Sequence, residues 1–104
     1  MSFKAIILLS RREDMTEDQF RNWWLNDHAL LARQLPRVRK IVFNVCQDST
    51  DIDGISELWF DTEADFVAAY DTDLGKRVAA DSMAHVRSRT RLFVAEALVI
   101  AESA

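Results

Sequence analysis

One segment of the sequence carries the side chains best suited to chemistry. The segment FRNWWLNDHALLARQLP, residues 20–36, places Asp27 and His28 shortly after two adjacent tryptophans. Imidazole titrates near neutral pH, so His28 is suited to taking and returning a proton. Trp24 lies one helical turn before His28 and would supply an aromatic wall for a small molecule. The segment therefore predicts a site for proton transfer on a small, partly apolar compound.

A helical wheel gives these side chains different surroundings. At about 100° per residue, His28 falls at the margin of the apolar stripe that begins at Phe20. Asp27 falls inside that stripe, where an unpaired carboxylate is costly to bury. We expect Asp27 to pair with a backbone N–H group, with Arg89 or Arg91 of the last strand, or with water in a cavity. The residue types alone leave a second interpretation open, in which His28 is a structural histidine at the edge of the core.

Other polar and aromatic side chains are further candidates, each with a structural alternative. Glu57 and Trp59 share one face of a predicted strand, where glutamate is disfavoured, so Glu57 either reaches a pocket or forms an ion pair at a subunit interface. Trp59 could stack on a substrate ring, and Asn44 could hold a substrate oxygen. His85 precedes the last predicted strand as either a loop residue or a site residue. Cys46 is interpreted as a small buried residue.

The sequence predicts no metal and no nucleotide cofactor. Its two histidines lie far apart, and no H-x-x-x-H or C-x-x-C spacing occurs. The loop DSTDIDG resembles the start of a calcium loop, but Phe60 stands where an EF-hand needs its final glutamate. The glycine-rich motifs that bind nucleotide phosphates do not occur either. We therefore expect chemistry without a cofactor.

Composition limits the class of protein. The chain has 104 residues, of which 49% are hydrophobic and 29% charged, and its formal net charge is -4. These values fit one globular domain, residues 1–104, and the scattered charges do not predict a nucleic-acid partner. Apolar runs stay below the about 18 residues of a membrane span, and the first residues lack the order of a signal peptide. One cysteine fits a reducing compartment, so we expect a cytoplasmic protein without membrane partners.

Hydrophobic periodicity predicts the element order β-α-β-β-α-β. This is the split βαβ, ferredoxin-like plan of the α+β class, with a four-stranded antiparallel sheet and helices on one face. Thr16 and Gln19 form a capping box that begins the first helix, and Pro36 ends it. Thr62 and Thr72 are expected to cap two later helical segments. The predicted strands cover residues 3–9, 37–46, 55–61 and 90–100. The second strand carries early charges and is expected at a sheet edge.

The predicted sheet has apolar residues on both faces, although helices can cover only one. The other face would measure about 400 Å² in projection, given strands about 4.8 Å apart and about 3.3 Å per residue. Monomers seldom leave an apolar surface of that size bare. We therefore predict a homodimer that pairs through this face with two-fold symmetry.

Three segments also match the motifs of a known family. They are REDMTEDQFRNWWLNDHALLARQLPRVRK, DGISELWFDTEADFVAAY and KRVAADSMAHVRSRTRLFVAE, and they span nearly the whole chain. The pattern F-x-x-[YW]-W-x-x-x-H-x-x-L, then P-x-[LV]-x-[KR], is matched at Phe20, Trp23, Trp24, His28, Leu31, Pro36, Val38 and Lys40. The pattern D-G-[IV]-x-E-L-W-F is matched at residues 53–60. The chain thus resembles the EthD-like members of the dimeric α/β-barrel superfamily.

The resemblance implies a ferredoxin-like protomer, paired through its sheets into a barrel, with a cavity between sheet and helices. It also implies that His28 faces this cavity, whereas many relatives carry an aromatic residue at the position of His85. Relatives include isomerases of lactones from aromatic breakdown, cyclases of polyketide biosynthesis, cofactor-free monooxygenases and proteins associated with ether degradation.

We therefore expect a cofactor-free enzyme of isomerase, cyclase or lyase type that acts on an aromatic-derived, lactone or polyketide-like carbonyl compound. The catalytic candidates are His28, Asp27 and Glu57, and the substrate-binding candidates are Trp24, Trp59, Asn44 and His85. Two alternatives stay open. One is a haem- or porphyrin-binding or monooxygenase-type protein that uses Trp59 and His85. The other is a non-catalytic accessory subunit of a degradation pathway.

Overall fold

A four-stranded antiparallel sheet organises the protein. The computed structural model describes residues 2–48 and 51–103. The strands are β1 (Phe3–Arg11), β2 (Lys40–Val45), β3 (Gly54–Phe60) and β4 (Val86–Val94). Their order across the sheet is β2-β3-β1-β4, and every neighbouring pair is antiparallel. The sheet confirms the predicted ferredoxin-like plan and the predicted edge position of β2.

The first helical region is continuous but not uniform. It consists of α1 (Glu17–Asn22), a π-helical segment (Trp23–His28) and α2 (Ala29–Ala32). The capping box of Thr16 and Gln19 is present at its start, as predicted. Within the π-helical segment the backbone hydrogen bonds span five residues instead of four. The backbone N–H of Ala29, for example, donates to the carbonyl of Trp24, five residues earlier. The helix therefore changes its pitch at the tryptophan–histidine motif.

The second helical region consists of α3 (Glu63–Tyr70) and α4 (Asp73–His85). Thr62 and Thr72 cap the two helices, as predicted. His85 was expected in a connector, but it is the last residue of α4, and β4 begins at the next residue. The Nδ1–H of His85 donates to the carbonyl of Asp81, 2.7 Å away, which keeps the imidazole on the last helical turn. Among the described residues, no helix has the length and apolarity needed to cross a bilayer.

The last strand begins and ends earlier than predicted. It covers residues 86–94 instead of 90–100, because β1 extends to Arg11 and pairs there with Val86. At the end of β4, Val94 lies opposite Lys4, close to the first residue of β1. The chain after Val94 therefore has almost no residues of β1 left to pair with. The apolar residues after the strand are exposed, at 79% for Leu98, 94% for Val99 and 85% for Ile100.

The two faces of the sheet have different surroundings. On β3 the residues that face the helices are buried and the intervening residues are half-buried. The largest fully buried side chains are Trp24, Phe20, Phe60 and Leu9. We term the other side of the sheet the open face. Its apolar residues are Ile6, Leu8, Val42, Ile55, Leu92 and Val94, and the polar and aromatic residues beside them include Lys4, Asn44, Glu57 and Trp59.

Gly54 stands where the core leaves no room for a side chain. A Cβ atom at this position would lie 2.6 Å from two atoms of the Trp24 ring, which is fully buried. We expect Gly54→Ala to lower the free energy of unfolding by about 1–3 kcal/mol through overpacking. Urea denaturation measures this loss.

A double-mutant cycle tests the steric explanation. The same substitution is made in a Trp24→Phe background, in which the smaller ring leaves space beside residue 54. The cost of adding the Cβ atom should be smaller there. An equal cost in both backgrounds would contradict the clash with Trp24.

Candidate active site

The π-helical segment determines which side chains of the first helical region are buried. Its hydrogen bonds span five residues, so Trp23 and His28, five positions apart, lie on the same side. Their ring centroids are 5.0 Å apart, and both side chains are buried. A uniform α-helical wheel instead separates these two residues and turns Asp27 inward. Asp27 is exposed, so the expectation that it lies inside the buried stripe is wrong.

His28 is held by a carboxylate that the sequence analysis did not assign to the site. Its Nδ1–H donates to Oδ2 of Asp81 at 2.8 Å, and the indole N–H of Trp23 donates to the same oxygen at 3.1 Å. Burial lowers the pKa of His28, and the attraction of Asp81 only partly opposes this desolvation. The pair is therefore a hydrogen bond from a neutral imidazole near neutral pH. Nε2 then carries the free lone pair of a base.

Ser82, the next residue on α4, and His85, one helical turn after Asp81, complete the group. Oγ of Ser82 lies 3.3 Å from Nε2 of His28, so the hydroxyl can donate to that nitrogen. The ring of His85 stacks on Trp23, with centroids 4.1 Å apart and planes 15° apart. We term Trp23, His28, Asp81, Ser82 and His85 the histidine cluster. It joins the first helical region to α4.

The histidine cluster borders a narrow internal cavity between the helices and the sheet. The volume open to the centres of water molecules is about 20 Å³, which is room for about one water. The polar residues that line it are His28, Ser56, Tyr70, Ser82 and Arg89. The apolar residues that line it are Ile7, Leu9, Ala32, Phe43, Leu58 and Val78. A few polar groups that converge among apolar walls are typical of a small-molecule site.

A larger groove lies between the first helical region and the edge strand β2. Its volume is about 490 Å³ by the same measure, and its lining includes Leu25, Leu30 and Ile41. The groove shares Ala32 and Phe43 with the internal cavity, so these side chains form the wall between the two spaces. The base lies in the smaller space. We therefore assign the candidate active site to the internal cavity, and we interpret the adjoining groove as the side from which a ligand would enter it.

Three predicted site residues lie elsewhere, on the open face of the sheet. Glu57 forms an ion pair with Lys4 at 2.9 Å and accepts a hydrogen bond from Asn44 at 3.1 Å. The indole N–H of Trp59 donates to Glu96 at 3.0 Å. The strand alternation that puts Glu57 and Trp59 together was predicted, but their face is the one away from His28. The expectation that Glu57, Trp59 and Asn44 join the histidine site is therefore wrong.

The remaining candidates support the site or lie outside it. Trp24 stacks on Phe43, with ring centroids 4.4 Å apart. Phe43 lines the cavity and Trp24 does not, so Trp24 supports a lining residue from behind. His85 belongs to the histidine cluster, on the helical side of the sheet, and does not converge with Trp59 on a common porphyrin site. Burial raises the pKa of the Cys46 thiol, which disfavours the reactive thiolate. Among the described residues, no three side chains of metal-ligand type lie close enough to hold an ion.

Comparison with known proteins identifies the family. The fold is ferredoxin-like, and the family model of the EthD domain matches residues 12–86. The chain therefore belongs to the EthD family. An ethyl tert-butyl ether D (EthD) family protein from Bacillus halodurans has a TM-score of 0.83 at 25% identity, over 93% of this chain and 100% of that one. Among curated protein sequences, none matches this chain.

Two enzymes share the fold at lower identity. The cofactor-independent oxygenase SnoaB from Streptomyces nogalater has a TM-score of 0.74 at 10% identity, over 97% of this chain and 98% of that one. The hydroxynitrile lyase from Passiflora edulis has a TM-score of 0.75 at 12% identity, over 92% of this chain and 95% of that one. At these identities the likeness shows the fold alone.

The contact between His28 and Asp81 predicts how the imidazole titrates. Asp81→Asn removes the negative charge that attracts the imidazolium, so the pKa of His28 should fall below its value in the unchanged protein. The imidazole proton resonances, followed by NMR through a pH titration, measure this change.

Asp27→Asn is the matched control, because it removes an exposed carboxylate from the residue next to His28. It should leave the titration of the imidazole nearly unchanged. A rise in the pKa of His28 in Asp81→Asn, or an equal fall in both variants, would contradict the assigned geometry.

Proposed function

We propose that this EthD-family protein is a cofactor-free enzyme that moves a proton on a small carbonyl compound, with His28 as the base. The observation that carries the proposal is the neutral, buried imidazole of His28, which is held at Nδ1 by Asp81 and lines the internal cavity. A general base must be unprotonated near the working pH and aimed at its substrate. The lowered pKa of His28 meets the first requirement, and its place in the cavity lining supports the second.

Each neighbour has a distinct part in the proposed reaction. His28 removes a proton from the carbon next to the carbonyl group, and negative charge then moves onto the carbonyl oxygen. Burial raises the pKa of Tyr70, so its hydroxyl stays protonated and can donate to that oxygen. Asp81 keeps the imidazole oriented while the ring carries the proton. Return of the proton to another atom completes an isomerisation, and it can equally accompany ring closure or elimination.

The apolar part of the substrate is proposed to lie in the groove beside β2. The internal cavity holds about one water, so a whole ring does not fit there. Movement of the Phe43 side chain would join the groove to the cavity, since its ring separates them. Leu25, Leu30 and Ile41 would then contact an aromatic-derived, lactone or polyketide-like skeleton. The occurrence of cofactor-independent chemistry on this fold supports the proposal.

The geometry also favours a second candidate reaction. The hydrogen bonds run from Ser82 to Nε2 of His28 and from Nδ1 to Asp81, the order found in serine hydrolases. In that case the Ser82 hydroxyl would attack a lactone carbonyl, and His28 would take the hydroxyl proton and pass it to the leaving oxygen. Ser82 is buried, and its contact with His28 is long, so proton transfer is the first proposal.

We also propose that two copies pair through the open face. Its apolar side chains are Ile6, Leu8, Val42, Ile55, Leu92 and Val94, and they have no helix over them. Leu92 remains 46% exposed in the isolated chain. Apolar patches on soluble proteins usually mark contact surfaces, and two-fold pairing covers both copies at once.

Deuterium uptake tests the proton transfer itself, whichever product the reaction forms. The protein is mixed in D₂O with a panel of unsaturated lactones and aryl ketones, and NMR follows deuterium at the carbon next to the carbonyl. We expect faster uptake for at least one member of the panel. His28→Gln should slow it by about 10²–10⁴-fold, because the base is lost.

Asp27→Asn, which alters only an exposed carboxylate, serves as the control and should retain the rate. Folding of each variant is checked by circular dichroism. Acyl transfer predicts a different result, namely lactone opening without deuterium uptake that is lost in Ser82→Ala. Exchange that persists in folded His28→Gln would reject the proposed base.

Pairing of two copies through the open face predicts the mass of the particle in solution. Light scattering should give twice the 12.0 kDa of one chain. Leu92→Arg places a charge within the apolar patch, on the edge strand β4, and should weaken the dimer by about tenfold or more. Val67→Arg, on α3 and 56% exposed, is the control and should leave the dimer intact. A 12.0 kDa particle at micromolar concentration would contradict the pairing.

A further inference from the structure

The side chain of Arg89 lines the internal cavity but has no role in the proposed proton transfer. Arg89 lies on β4, opposite Leu9 of β1, and lines the same cavity as His28. Its Nε–H is buried and has no hydrogen-bond partner among the described residues. Buried N–H groups in native proteins are nearly always paired, so this donor needs an explanation.

The positive charge of Arg89 is also uncompensated. Within residues 2–48 and 51–103, the carboxylates that form ion pairs do so with other side chains, and none lies at ion-pair distance from Arg89. Burial lowers the pKa of Arg89, yet a guanidinium stays protonated near neutral pH because its usual pKa lies far above 7. The cavity therefore holds a permanent cation without an anion beside it.

We propose that Arg89 binds a carboxylate group of the substrate. A guanidinium presents a planar fork of N–H donors that matches the two oxygens of a carboxylate. Tyr70 lines the same cavity and offers a second donor.

This inference rests on the proposed function and narrows its substrate class. His28 and Arg89 line one small cavity, so the carbon that loses the proton and the bound carboxylate must belong to the same compact part of the substrate. The substrate class is then a carbonyl compound that also bears a carboxylate. Neutral lactones and ketones would be poorer substrates than their carboxylated analogues.

Binding of benzoate tests the carboxylate site without any turnover. Benzamide, which has the same shape and no charge, is the matched ligand. NMR titration that follows the Nε–H resonance of Arg89 should show benzoate binding at least about tenfold tighter than benzamide. Arg89→Met should weaken benzoate binding by about 10–100-fold, as expected for the loss of a charge-assisted hydrogen bond.

A matched variant and a stability measurement separate binding from a structural role. Arg91→Met removes a neighbouring exposed arginine on the same strand, and benzoate binding should persist there. The Tm of Arg89→Met should equal or exceed that of the unchanged protein, because a half-buried charge without an ion-pair partner is removed. Equal binding of benzoate and benzamide, or unchanged benzoate binding in Arg89→Met, would overturn the inference.

Arg89→Lys provides the test if Arg89→Met does not fold. This variant keeps the charge and loses the paired donors, so it should bind benzoate several-fold more weakly. Unchanged affinity in Arg89→Lys would then overturn the inference.

The outcomes also separate this inference from the proposed reaction. Arg89-dependent benzoate binding without His28-dependent exchange would keep the carboxylate site and reject the proton transfer. Exchange on neutral lactones without benzoate binding would keep the proton transfer and reject the carboxylate site.

Discussion

The hydrogen bond between His28 and Asp81 is the interaction on which the candidate site depends. It crosses from the first helical region to α4 and satisfies one nitrogen of a buried imidazole, which would be costly to leave unpaired. The same contact selects the tautomer that leaves the lone pair on Nε2, the nitrogen that lies 3.3 Å from Oγ of Ser82. Desolvation and the carboxylate act in opposite directions on the pKa of His28, and desolvation prevails. A neutral and oriented base is the result.

The alternation of side chains along each strand gives the sheet two faces with different side chains. On β3, Ser56 faces the internal cavity, while its neighbour Glu57 pairs with Lys4 on the open face. The proposed small-molecule site and the proposed contact with a second copy thereby lie on opposite faces of one sheet. The two faces share a backbone but no side chain, so a substitution on one face need not change the side-chain contacts on the other.

The fold could be predicted because its signals are local. Alternating apolar residues and threonine caps mark the elements, and they predicted the element order along the chain, the capping box and the edge strand. The predicted end of β4 was wrong because an apolar run continues past the point where β1 offers a partner. The pattern on β3 correctly grouped Glu57 with Trp59. It could not say which face the helices cover, since that depends on packing across the whole sheet.

The site was predicted less completely, for two physical reasons. His28 was identified from its chemistry, but the wheel assumed uniform α-helical pitch and so turned Asp27 inward. Asp81 and Tyr70 join the site through contacts distant in sequence, which spacing alone does not reveal. The position of Ser82, by contrast, could have been recognised from the sequence. It continues the buried side of α4 that carries Gly75 and Val78, and a hydroxyl among such positions indicates a polar partner inside.

The change of pitch in the first helical region also bears on how related chains are compared. A π-helical turn accommodates one more residue than an α-helical turn over the same path. A relative that lacks one residue between Trp23 and His28 would keep the two side chains on the same side with ordinary α-helical turns, because residues four positions apart share one face of an α-helix. A relative that keeps the five-residue spacing in a uniform α-helix would instead turn its imidazole away from the carboxylate on α4. Residue spacing and helix type must therefore be compared together to tell which chains can form the pair.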